Sequence, residues 1–111
     1  MPISADWIDP APKYARAGET NTIGCDATGW LPSGVTISSV ATSDADGLTI
    51  ASLAVNTGTF TNDKGGTCAI SKGFQFACSG QAAGTTYDVL IAMTLSNSDV
   101  KKSKLTLIGV A

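Results

Sequence analysis

The sequence predicts an all-β sandwich of about seven short strands, with an extended Pro-rich arm over residues 1–18 and the sandwich over 19–111. Three observations predict it. From Glu19 onward, short runs alternate apolar and polar residues with a period of two. Clusters of Gly, Asn, Asp and Ser separate those runs. No window sustains apolar residues at the i, i+3, i+4, i+7 spacing of an amphipathic helix.

Within the arm, Pro2, Pro10 and Pro12 are three of the four prolines of the chain. Proline fixes an extended course and removes a ladder donor. Trp7, Ile8 and Tyr14 stand among them as large apolar groups in a segment that owns no core. Either the arm folds back to cover a sheet edge, or its aromatics dock onto another subunit, the use to which Trp is often put at interfaces.

Beyond the arm, TNTIGCDA (20–27) places Ile23 and Cys25 on one face. GWLPSG (29–34) reads as a turn, because Pro32 breaks any strand. VTISSVAT (35–42) alternates Val35 and Ile37 with Thr36 and Ser38, SDADG (43–47) turns, and LTIASLAV (48–55) follows. NTGTFTNDKGG (56–66), which contains Phe60, is a long loop or weak edge strand. TCAIS (67–71) is expected to turn at Lys72–Gly73 and pair as a hairpin with FQFACSG (74–80), whose Phe74, Phe76 and Cys78 share one face. In YDVLIAMTL (87–95) the face is Tyr87, Val89, Ile91, Met93 and Leu95. SNSDVK forms the tip, and Leu105 and Leu107 supply the return strand with Lys104 and Thr106 outward. Tyr87 follows a Gly-Thr-Thr turn and leads the penultimate strand, the position of the tyrosine corner in immunoglobulin-like sandwiches, which makes the expected fold Ig-like.

The bulk composition narrows the function classes. Only 14% of the residues are charged against roughly 25% in ordinary soluble domains, while 43% are hydrophobic. Fourteen Thr and eleven Ser supply most of the polarity, as suits strands and assembled proteins. The net charge of −2 gives no electrostatic footprint for nucleic acid, and Lys101, Lys102 and Lys104 read as a solvated cluster. MPISADWIDPAPK has neither the basic start nor the apolar run of an export signal, and no run approaches the length of a membrane-spanning helix. The expectation is synthesis in a cytoplasm, with no membrane partner. Of the three cysteines, Cys68 and Cys78 flank a possible hairpin and could face each other across it; a cytoplasm favours buried thiols over a bridge there.

No catalytic residue, cofactor or metal ligand set is predicted. The chain contains no histidine, which removes the commonest general base and metal ligand. Asp44-Ala-Asp46-Gly47 is a fragment of a calcium-loop pattern without its remaining oxygens, and reads as a turn. Trp30 either stacks on a sugar or packs at a strand end. The protein is therefore not expected to be an enzyme.

From Gly29 to Val110 the chain resembles a family of short Ig-like virion proteins of tailed bacteriophages. The resemblance rests on WLPSGVTISS (30–39), DGLTIAS (46–52), GQAAGTTYDVLIAMTLSNSD (80–99) and the final LTLIGV (105–110). It covers about three quarters of the chain, with short words of common residues. It implies a non-enzymatic, multi-copy virion structural protein, made in the host cytoplasm: an adaptor bridging tail fibre and tail or neck, or a capsid decoration (cement) protein on the head lattice. Its partners would be other virion proteins and further copies of itself. The chain departs from the family in its Pro-rich arm, DWIDPAPKYARAGE (6–19), and in a longer segment 56–79. A third reading, of another class, is a carbohydrate- or receptor-binding module using Trp30 and loop 56–66. Interface candidates are Trp7, Ile8, Tyr14, Trp30 and Phe60; Tyr87 is assigned a structural role.

Overall fold

A computed structural model describes residues 13–62 and 65–111. Among them there is no α-helix, and no helix long and apolar enough to cross a membrane. The strands are β1 (Lys13–Arg16), β2 (Asn21–Asp26), β3 (Ile37–Asp44), β4 (Thr49–Val55), β5 (Phe60–Thr61), β6 (Thr67–Cys68), β7 (Gly73–Ser79), β8 (Thr86–Leu95) and β9 (Val100–Val110). One 3-10 turn, Thr28–Trp30, follows β2.

Two sheets pack face to face. One has the order β1-β9-β8-β3 and the other β2-β7-β4, while β5 and β6 form a separate two-residue ladder. All neighbours are antiparallel except β1, which runs parallel to β9. The core between the sheets combines Ile23 and Cys25 of β2, Phe74, Phe76 and Cys78 of β7, and Val89, Ile91, Met93 and Leu95 of β8 with Leu105 and Leu107 of β9. Each belongs to the alternate set whose period of two selects a single face. The rings of Phe74 and Phe76 lie 6.3 Å apart at 20°. Burying a side chain such as Ile91, which is fully enclosed, contributes about 1.5–3 kcal/mol.

Several boundaries differ from the sequence expectation. Lys13–Arg16, counted with the arm, forms the β1 edge strand, with Lys13 and Ala15 turned inward and Tyr14 and Arg16 outward. Four alternating residues beside three prolines are too few to be read as a strand. β3 begins two residues later than expected and runs on through Asp44, which leaves a tight turn closed by the Leu48 N–H on the Ala45 carbonyl at 3.0 Å. Asp44 Oδ1 accepts the N–H of Asp46, and Asp46 Oδ2 accepts the N–H of Asp88 at 3.0 Å. The DADG carboxylates thus close a turn and tie it to β8.

The expected 67–80 hairpin does not form. Cys68 pairs with Phe60 across β5–β6, whereas Cys78 lies opposite Asn21 and Ile50. β7 is the central strand of its sheet, so β2 and β4 already take both of its edges and none is left for residues 67–71. Cys68 and Cys78 therefore do not face each other; all three cysteines are buried and none is in a disulfide.

Buried amides organise the loops. Asn56, 2% exposed, donates to the carbonyls of Gly58 and Ala69 at 2.9 and 2.8 Å and accepts the Gly73 N–H at 3.0 Å. Gln81, 4% exposed, donates to the carbonyls of Arg16 and Glu19 and so clamps the β1–β2 connection. Tyr87 Oη accepts the N–H of Ala82 at 2.9 Å, five residues upstream, as the hydroxyl of a tyrosine corner does.

Candidate functional site

An open groove of about 480 Å³ lies where β1 passes the outer edge of β2. Lys13 and Tyr14 form one wall, Phe60 and Thr61 the other, with β2 and Gln75 of β7 between them. Thr22, Ile23 and Gly24 all line it. Side chains of consecutive strand residues point to opposite faces, so a run of three places the backbone edge of β2 in the groove.

The second wall owes its position to a glycine. A β-carbon on Gly24 would meet the Phe60 ring at 2.9 Å, so only glycine admits the ring this close to the strand. The segment carrying Phe60 is anchored by Asn62, whose amide donates to Asp26 Oδ2 at 2.9 Å and whose Oδ1 accepts the Gly66 N–H. Asp26 Oδ1 accepts both the N–H and the hydroxyl of Thr28, at 2.9 and 2.6 Å. Burial pushes the Asp26 carboxyl up, but the bonds from Asn62, Thr28 and the Cys68 thiol outweigh it, and the group is held below its ordinary 3.8. Burial alone pushes the Cys78 thiol up, which keeps it protonated and unreactive.

Of the interface candidates, Tyr14 and Phe60 come together on this groove. Tyr14 is 61% exposed on its edge strand, and Phe60 is half-buried. Trp30 ends the 3-10 turn after β2. Trp7 and Ile8 lie outside the described residues. Lys13, Thr22, Gly24 and Gln75 were not legible as site residues; the one available signal was a glycine inside a strand pattern, which marks close approach of another group. Among the described residues, no group of three or more His, Cys, Asp or Glu side chains could hold a metal ion.

Fold and groove together define a β-sandwich domain with an aromatic-walled surface groove on a sheet edge. The chain matches no protein-family model, and no curated protein is significantly similar to it.

Proposed function

We propose that this chain is a non-enzymatic structural protein of a tailed-bacteriophage virion, an Ig-like subunit that bridges tail fibre and tail or neck through protein–protein contacts. The single observation that carries the reading is the exposed Tyr14 beside Phe60 on an open sheet edge, an aromatic surface suited to a protein neighbour. The Ig-like part is supported by strand order. Labelled in chain order with the β5–β6 ladder as an insert, the sheets read A′-G-F-C and B-E-D, close to the two sheets of constant-type immunoglobulin domains. The Tyr87–Ala82 bond adds the corner of that architecture. The phage part rests on the resemblance of residues 30–39, 46–52, 80–99 and 105–110, which here span the turn into β3, the turn into β4, the corner with β8, and the second half of β9.

The test is quantitative mass spectrometry of purified particles. An adaptor appears in a small multiple of the portal symmetry. A copy number that scales with the head lattice selects capsid decoration instead. Absence from particles, or glycan binding lost in Tyr14→Ala, removes the structural reading in favour of a binding module.

A further inference from the structure

Among the described residues, the outer edge of β2 is open and regular, and β2 pairs with β7 alone. The Ala27 N–H bonds the Lys72 carbonyl at 2.9 Å, in register with the Asp26–Gly73 pair of the ladder. Antiparallel pairs alternate between bonded and non-bonded, so Cys25, Ile23 and Asn21 direct their backbone groups to β7. The N–H and C=O groups of Thr22 and Gly24 point the other way, into the groove, and have no strand partner among the described residues.

The other sheet edges are blunted. β3 carries register shifts at Ile37/Ser39 and Thr42/Asp44. β4 carries one between Ala51 and Ala54, with Ser52 in the left-handed region at φ 56. β1 is only four residues long. Bulges and brevity are standard protections against strand pairing. β2 has six residues in unbroken register, no proline and no lysine.

We propose that the β2 edge is a strand-addition site, and that its occupant is the segment 1–12 of a second copy of this chain. Such pairing gains main-chain hydrogen bonds from an extended peptide, with side-chain pockets setting register. Segment 1–12 suits the slot. It ends at Lys13, on the groove wall, so each copy carries donor and acceptor side by side. Its only charged side chains are Asp6 and Asp9, so most of its length enters the slot without desolvating a charge. Trp7 supplies an aromatic for the space between Tyr14 and Phe60.

The same copy's segment is poorly placed to fill it. The short connection Ala17–Thr20, clamped by Gln81, returns β1 directly into β2. Lys13 and Tyr14 thereby stand level with Thr22–Gly24, so a segment joined to Lys13 would have to reverse its course to lie along that edge in the same copy. Donation from copy to copy is a head-to-tail contact, which closes into a ring or continues as a chain. The inference does not depend on the virion reading.

Two full-length variants test it. Thr22→Pro blocks the edge while sparing the β7 ladder, because the Thr22 N–H faces away from β7; Trp7→Pro spoils the donor segment, because Trp7 is out of phase with Pro2, Pro10 and Pro12, whose positions have no N–H to offer β2. Wild type is expected to self-associate in sedimentation, with amide exchange at Thr22 and Gly24 slowing as concentration rises. Each variant alone is expected to be monomeric. Mixed, they should form a one-to-one dimer, because Thr22→Pro still donates and Trp7→Pro still accepts. The exchange measurement on wild type stands even where a variant fails to fold. A monomeric wild type, association that survives in Thr22→Pro, a mixture that does not pair, or concentration-independent protection of Thr22 and Gly24 overturns the proposal.

Discussion

The carbonyl of Ala82 occupies the space that a β-carbon on Gly109 would need. Gly109 also donates its N–H to the Thr85 carbonyl and accepts the Gly84 N–H, both at 2.9 Å. Ala82 is therefore held from two sides, by Gly109 beneath and by Tyr87 Oη on its N–H. Gly109→Ala forces backbone apart at this corner and is expected to cost about 2–3 kcal/mol, the upper range for overpacking. Urea unfolding of the full chain measures it; a cost within error of zero means the corner yields freely.

Gln81→Leu removes the donor that serves the Arg16 and Glu19 carbonyls. The Arg16 carbonyl keeps the Glu19 N–H at 3.3 Å, but the Glu19 carbonyl loses its side-chain donor, and an acceptor left unpaired costs about 1–3 kcal/mol. Because the lost bonds fix the β1–β2 connection, amide exchange in β1 should accelerate more than in β8. Uniform acceleration across both strands would point to a general loss of stability instead.

Asp26 gives an acid-dependent prediction. Its carboxyl is held below 3.8 in the folded state, so the ionised form adds stability. That contribution is fully present above the unfolded value near 3.8 and is lost as pH falls through the lower folded value. Asp26→Asn should therefore be less stable than wild type at neutral pH, and the gap should close in strong acid. A gap that does not change with pH would show that the charge is not what anchors Asn62 and Thr28.

Ser98 sits at φ 73 in the tip between β8 and β9, where Ser98 donates to the Leu95 carbonyl and Leu95 to that of Asp99. This is a three-residue hairpin loop, whose left-handed position favours glycine. Ser98→Gly relieves the strain but loosens the unfolded chain, for a net gain of about 0.5 kcal/mol. A higher midpoint in thermal unfolding checks it.

Much of the sandwich was legible because its signals are local. The faces Phe74/Phe76/Cys78, Val89/Ile91/Met93/Leu95 and Leu105/Leu107 follow from period-two alternation, and the tip at 96–99 follows from its polar residues. The Asp44–Asp46 turn was equally readable, since each carboxylate acts within a few residues or on the next strand. The hairpin expected at 67–80 was not, because whether β7 pairs with its chain neighbour depends on β2 and β4, which arrive from distant sequence.

The sequence alone determined most strand-forming segments, the inward sets of β2, β7, β8 and β9 and the absence of histidine, because alternation and side-chain type are properties of the chain itself. Only the tertiary structure decided which edges are shared. It turned Lys13–Arg16 into an edge strand, seated Phe60 over Gly24, separated Cys68 from Cys78 and left the β2 backbone facing a groove. Those outcomes depend on competition for hydrogen-bonding edges among segments far apart in sequence, and no local pattern records which competitor wins.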